Sequence, residues 1–310
     1  MKRLLLAIAV MPLMAGCSRV AVTTEVKADG SWTRQDVFTQ AKSGMTGAQL
    51  SDVFTLPAQG AGWTAKKAVT DKEVKYTASL KIKGPGQFGR DILVRRKDKG
   101  PVLVSNNVVV REISPGRWQY TETLHWNGDK PAELTNPPAE AIASIKAALP
   151  ASIATDANAK ALATGLIRGL WGAMFGPGQS VLLQLMLQPD AAEHVLMQRL
   201  GKSIDPTLGE TVGSRLTAEE RRATVKRLIA AMSAQAQAKG SPAPSGSSSA
   251  SKAGTEMPSM TFTLKPPGAI LETNGESDEY ANEVWWTLYP EAAALGDVVL
   301  KATWKSPPKR

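Results

Sequence analysis

Cysteine is almost missing from this chain: its 310 residues hold one, Cys17. No disulfide can therefore form within the molecule, and stability has to come from an apolar core. Histidine is nearly as scarce. His125 and His194 stand far apart, with no cysteine or paired acid at a ligand spacing beside either, so the sequence gives zinc sites and histidine-based acid–base chemistry no footing. There is no Gly-x-Ser-x-Gly elbow, no phosphate-binding lysine loop and no His-Glu-x-x-His helix. The familiar nucleophilic and zinc hydrolases thereby lose their signatures, and the sequence calls for no cofactor, no metal and no catalytic residue.

What is present begins at the N-terminus. Lys2 and Arg3 precede an apolar stretch from Leu4 to Met14, and small residues lead into the lone cysteine. A positive start, a short apolar run and a small-residue exit read as a secretory signal. The run is well below the ~20 residues of a spanning helix. Met14-Ala15-Gly16-Cys17 resembles the lipobox that signal peptidase II recognises, with Met14 where leucine is usual. This predicts removal of residues 1–16 and acylation of Cys17 with a diacylglyceryl group and an amide-linked chain such as palmitate. One acyl chain holds a membrane only marginally, whereas several hold it firmly. Ser18, rather than aspartate, follows the cysteine; by resemblance to sorted lipoproteins this favours the periplasmic face of the outer membrane in a cell with two membranes.

Cleavage leaves 294 residues and takes the formal charge from +9 to +7. The excess is local. Residues 65–100 carry eleven Lys and Arg against four Asp and Glu, a surplus of +7. Lys75, Lys81 and Lys83 are candidates for contact with anionic headgroups or envelope polysaccharide; lysines that merely guard an exposed strand edge are the equal alternative. An exported, tethered chain is not expected to bind nucleic acid.

Three zones follow the signal. The first, 17–135, is written in the two-residue period of strands. Val74, Tyr76, Ala78, Leu80 and Ile82 fall on one face while Lys75, Thr77, Ser79, Lys81 and Lys83 fall on the other, as a half-buried antiparallel strand requires. Further strands are predicted near 20–27, 31–39, 91–96, 102–112 and 117–126, with Asp29-Gly30 as a hairpin turn. The second zone, 136–238, changes to the helical period. Asn136 is expected to cap a helix that runs to Leu149 and stops at Pro150. Leu162, Leu166, Ile167, Leu170, Trp171, Met174 and Phe175 make a wide apolar stripe on the next. Helices are expected at 179–188 and 190–200, and at 218–238, where Thr217 and Glu220 form a capping box. Residues 239–257 are rich in Gly, Ser, Ala and Pro and read as a flexible linker. The third zone, 258–310, returns to strands near 260–265, 284–289 and 298–304. Too few to stand alone, they are expected to complete the sheet begun in the first zone. The predicted class is α+β: one antiparallel sheet built from both ends of the chain, with a large helical insertion packed against it.

Two motifs fail on context. Gly84-Pro85-Gly86-Gln87-Phe88-Gly89 has dinucleotide-loop spacing but leads into a strand rather than a helix, and so reads as a hairpin turn. From Arg168 to Asp190 no charge interrupts the chain between its ends, yet Gly176-Pro177-Gly178 and three glutamines oppose a membrane span. A buried helical hairpin is the expectation, with a lipid-touching lid as the alternative. Glu122 is the anomaly: it shares a strand row with Trp118, Tyr120, Leu124 and Trp126, an acid among aromatic and apolar neighbours. Paired with a cation it is structural; unpaired, its pKa would rise and it becomes a candidate acid.

Pro267 to Gly275, followed by Val284-Trp285-Trp286, is similar to the closing segment of LppM-type bacterial lipoprotein domains. The Asp29-Gly30 hairpin and the strand ending Leu124-His125-Trp126 also fit. The resemblance covers the two strand zones, about half the chain; the helical insertion, and the lack of the C-terminal membrane helix often found in that family, depart from it. It implies an envelope-exposed α+β domain that binds lipid or lipoglycan. The expectation is a non-catalytic, lipid-anchored envelope protein with an apolar ligand held between sheet and helices. The alternatives are an envelope scaffold or assembly partner, and a hydrolase without recognised signatures.

Overall fold

The computed structural model describes residues 18–42, 50–60, 62–94, 102–175, 204–212, 215–238, 259–278 and 280–306, without the side chains of 133, 173, 174 and 232–238. The class is α+β, and the described chain divides into two compact units. The strand-rich unit takes in residues 18–129 and 259–306; the helical unit takes in 130–175 and 204–238.

The strand-rich unit holds twelve strands: β1 (Ser18–Val26), β2 (Trp32–Ala41), β3 (Trp63–Val69), β4 (Glu73–Ile82), β5 (Gly86–Val94), β6 (Val102–Ser114), β7 (Arg117–Trp126), β8 (Ser259–Lys265), β9 (Ile270–Thr273), β10 (Glu276–Asp278), β11 (Glu283–Leu288) and β12 (Val298–Lys305). They form two sheets where the sequence predicted one. The larger has the order β10-β11-β8-β1-β2-β4-β3 and the smaller the order β5-β6-β7-β12-β9. The C-terminal zone does complete the N-terminal one, but it contributes to both sheets. Nor is the pairing wholly antiparallel: β1 and β8 run parallel, Arg19 opposite Ser259 through Glu25 opposite Lys265.

The sheets bury their facing rows against each other. On the larger sheet Val20, Val22, Trp32, Phe38, Met260, Phe262 and Trp286 are buried, and on the smaller Val104, Val108, Tyr120, Leu124, Leu300 and Trp304. Tyr120 stacks on Trp286 with centroids 6.0 Å apart, and Trp32 meets Phe88 edge-on at 6.5 Å, so aromatic pairs join the layers. A short α1 (Leu50–Val53) delivers Phe54 to Phe38, 5.1 Å between rings.

Local chemistry explains several boundaries. Gly30 sits at φ +80 in the β1–β2 turn, where Asp29 Oδ1 accepts from the N–H and hydroxyl of Ser31 at 2.9 and 2.6 Å. A Cβ on Gly30 would also lie 2.3 Å from the Trp118 ring. The turn between β4 and β5 is confined to residues 83–85, with Gly84 at φ +77, and Gly86 already belongs to β5. The strand placed at 91–96 therefore starts five residues earlier. Strand β3 was not anticipated, because most of it is exposed on both faces and shows no alternation.

The helical unit contains α2 (Ala139–Ala148), α3 (Asp156–Phe175), α4 (204–212) and α5 (Ala218–Ala238). Asn136 does not cap α2. Pro138 occupies the cap with ψ 142, and the residue before a proline disfavours helical backbone, which holds Pro137 out as well. Asn136 instead donates its N–H to the Ala132 carbonyl, 2.8 Å, beside the Thr135 N–H that closes the short 3-10 turn Ala132–Leu134 onto the same oxygen at 3.1 Å. The same rule ends the helix as expected: Leu149, before Pro150, is extended at ψ 148. The capping box is present. Thr217 N–H donates to Glu220 Oε2 at 2.8 Å and Glu220 N–H to Thr217 Oγ1 at 3.2 Å; the first, with the Thr217 hydroxyl donating to the same Oε2 at 2.9 Å, lowers the Glu220 pKa. Helix α4 was not predicted; Pro206 is the third of its described residues. The helices expected at 179–188 and 190–200, His194, the linker at 239–257 and the Gly176-Pro177-Gly178 corner lie outside the described residues.

Candidate functional site

Glu122 faces the core of the strand-rich unit, as its row requires. Its side chain is fully buried and so is that of Arg34 on β2, in the opposite sheet. Arg34 donates from Nη2 to Oε1 at 2.8 Å and from Nη1 to Oε2 at 3.3 Å, a two-pronged pairing. Asn106 Nδ2 also donates to Oε1, and the Tyr120 hydroxyl to Oε2. Four donor contacts therefore occupy the carboxylate. Arg34 Nε reaches Asp36 Oδ1 at 3.1 Å, while Arg90 donates to Asp36 Oδ2 and to the Thr55 carbonyl. The Arg90 guanidinium lies 5.4 Å from the Phe38 ring centroid and 5.7 Å from that of Trp63.

Two cations and two anions thus balance inside the sandwich. Burial by itself opposes the charge on Arg34, but Glu122 and then Asp36 outweigh it and hold its pKa above the ordinary value. Arg90 goes the other way: burial dominates, helped by Arg34, and its pKa falls despite Asp36. Burial, reinforced by Glu122, pushes the Tyr120 phenol well up. A carboxylate with no solvent exposure and saturated acceptors offers no route to a substrate. Sequence reasoning found Glu122 but missed its partners. The available signal was the row Trp32, Arg34, Asp36, Phe38, in which a cation and an acid share a strand face with two aromatics.

His125 is on the other face of β7 and half-exposed, with Nδ1 2.8 Å from Asp297 Oδ1. Among the described residues no group of three or more His, Cys, Asp or Glu side chains is placed to hold a metal ion.

The apolar stripe of α3 splits into two parts. Leu162 and Leu166 are buried in the core of the helical unit with Ile145, Ile153, Leu208 and Leu228. They pack helix on helix. Leu170 packs partly against that core, and Ile167, Trp171 and Phe175 are half-buried, with the Trp171 and Phe175 rings 4.9 Å apart. The side chain of Met174 lies outside the described residues. A different face of α3 borders a groove of about 900 Å³, lined by Ala161, Thr164, Gly165 and Arg168 of α3 and by Thr207 and Glu210 of α4. Gly165 sets the spacing there, because a Cβ would come within 2.2 Å of Thr207 Cγ2.

Lys75, Lys81 and Lys83 are all exposed, but they do not form one site. Lys75 is opposite Thr39 and Lys81 opposite Thr33, at the two ends of the β2–β4 ladder. At ~3.4 Å per residue Lys75 and Lys83 stand about 27 Å apart. Met14, Ala15, Gly16 and Cys17 lie outside the described residues. The first described residue, Ser18, is nevertheless the first residue of β1, paired with Gln40, so Cys17 is one peptide unit from a central strand of the larger sheet. No described helix is long and apolar enough to cross a membrane.

No protein-family profile matches the sequence, and no curated protein is similar to it. Among solved structures the chain is similar to the folded domain of the Mycobacterium tuberculosis LppM protein, with 9% identity, a TM-score of 0.34, and 95% of this chain and 93% of that one covered.

Proposed function

We propose that this chain is a non-catalytic envelope lipoprotein, held to a bilayer through acylated Cys17. The observation that carries the reading is the junction at residues 14–18. The lone cysteine ends a lipobox-like Met14-Ala15-Gly16-Cys17, and a β-strand starts at the next residue. The lipobox-like run and the described strand adjoin in sequence, so cleavage before Cys17 leaves every described strand whole. The anchor then acts at one end of β1 and keeps the strand-rich unit against the membrane surface.

The closed state of Glu122 supports the non-catalytic part. The residue that best qualified as an acid is engaged by Arg34, Asn106 and Tyr120 and has no path to solvent. The envelope location, the acyl groups and the absence of catalysis belong to this one reading. Fractionation of cells making the full-length chain or its Cys17→Ser variant tests it. Wild type should sediment with membranes and enter the detergent phase of a Triton X-114 partition. The variant should keep residues 1–16 and lose processing by signal peptidase II. Wild type recovered in the aqueous phase would overturn the reading.

A further inference from the structure

The register of the larger sheet collects charge at the end where Cys17 attaches. Ser18 is opposite Gln40, Ala41 opposite Glu73, and Val69 opposite Val74, so the start of β1, the end of β2 and the β3–β4 hairpin share that end. Lys42 follows β2 and donates its N–H to the Lys72 carbonyl at 2.8 Å, which holds the two lysines side by side. The hairpin turn is fastened: Thr70 N–H donates to the Glu73 carbonyl at 2.9 Å, and Glu73 N–H to Thr70 Oγ1 at 3.1 Å. Lys66, Lys67 and Lys75 are within four residues of the Thr70–Glu73 turn, and Arg19 is 3.9 Å from Glu73. Among the described residues of these strand ends and the hairpin, six exposed cations stand against two acids, Asp71 and Glu73. Val69 sits among them at 59% exposure, an apolar side chain at the tip of a basic hairpin.

We propose that this end, namely Arg19, Lys42, Lys66, Lys67 and Lys72 around Val69, is a docking surface for anionic phospholipid headgroups of the bilayer that receives the acyl chains. The inference rests on the lipid-anchor reading, which fixes the bilayer within reach of Ser18. It also selects among the lysines that the sequence singled out. Lys75 is at the anchored end, whereas Lys81 and Lys83 lie about 20 and 27 Å from it at ~3.4 Å per residue, more than two screening lengths of ~8 Å. Edge protection accounts for Lys66 and Lys67, since β3 is an edge strand, but not for Lys42 and Lys72, which follow β2 and precede β4 in the sheet interior. The arrangement makes the tether and the charge act together: the chains hold the molecule, and the basic end sets its orientation.

The test is lysine footprinting of the full chain purified from membranes and placed in vesicles of phosphatidylcholine, with or without phosphatidylglycerol. Acetylation of Lys42, Lys67 and Lys72 should slow about fivefold or more on the anionic vesicles, the factor expected per basic residue at such a surface. The slowing should disappear in high salt, and Lys27, Lys81 and Lys83 should label equally on both. Equal labelling of Lys42, Lys67, Lys72 and Lys81 on both vesicles would overturn the proposal. Intact mass of the same preparation reports on Cys17 separately. Should that thiol be unmodified, the anchor reading fails, and flotation with phosphatidylglycerol vesicles takes over as the test of the docking surface. Flotation weakened at least tenfold by Lys42→Gln with Lys72→Gln, but not by Lys81→Gln with Lys83→Gln, supports the surface; flotation indifferent to all four overturns it. All four positions are exposed, and unchanged thermal melting verifies that the variants fold.

Discussion

Arg34 and Glu122 meet across the sandwich with Nη2 2.8 Å from Oε1, and neither side chain is exposed to solvent. The pair joins β2 of one sheet to β7 of the other, 88 residues apart in sequence. Breaking a buried pair on one side leaves the other charge stranded, which costs more than the pair contributes. Arg34→Met or Glu122→Leu alone should destabilise the strand-rich unit by about 3–5 kcal/mol. The double variant should recover at least ~2 kcal/mol of the summed loss, as coupled neighbours do. Urea unfolding of the four proteins measures that coupling, and additive losses would show that the two residues act independently.

Gly165 is a second point where one atom decides the packing. An added methyl would stand 2.2 Å from Cγ2 of Thr207, a β-branched residue with little freedom at χ1. Gly165→Ala should cost about 1–3 kcal/mol by forcing α3 and α4 apart, in spite of alanine's better helix propensity. Combining it with Thr207→Ala should restore most of the loss. Thermal melting followed by circular dichroism separates the outcomes, since a stabilised Gly165→Ala protein would mean that the helices are not in contact there.

Glu291 gives stability a pH dependence. It belongs to the 3-10 turn Pro290–Ala294, its Oε2 is shut off from solvent, and burial pushes its pKa to about 7. The folded state therefore binds a proton more tightly than the unfolded chain does. The stabilisation is complete below the unfolded value of 4.5, falls as pH rises towards 7, and is flat above that. The ceiling on the loss is about 3 kcal/mol. Glu291→Gln should remove this slope and be the more stable protein at pH 8. Melting temperatures of wild type and variant from pH 4 to pH 8 check it, and parallel curves would contradict it.

The rows of single strands were legible in the sequence, while the partners of those strands were not. Val74 to Ile82 alternates cleanly because β4 is covered on one face and wet on the other. The row of Glu122 was readable for the same reason, which is why an acid among tryptophans stood out before any partner was known. Arg34 was overlooked, although its own row also mixes charge with Trp32 and Phe38. Nothing local says that β1 pairs in parallel with β8, well over two hundred residues later, or that the C-terminal strands divide between two sheets. That choice is made by packing between layers. Helix α4 was not anticipated, and it contains Pro206 and Gly209, the two poorest helix formers. In the fold the proline is the third described residue of the helix, and the glycine lies under Arg221, whose Nε bonds Asp205 Oδ1 at 2.6 Å.

The candidate sites divide along the same line. Leu162 and Leu166 were readable as an apolar stripe, but periodicity cannot separate side chains that pack on other helices from side chains that meet a ligand. Lys75, Lys81 and Lys83 shared a predicted face, and the length of that strand already separates them; what the register adds is that Lys75 is at the end where β1 begins.

The reading as a whole depends on what the mature protein carries at its first residue. Mass spectrometry of the N-terminal peptide of the membrane-extracted protein addresses that directly. The account predicts a chain that begins at Cys17, lacks residues 1–16, and bears a diacylglyceryl thioether with a further chain on the α-amino group. A peptide that begins elsewhere, or a Cys17 with a free thiol, would contradict it.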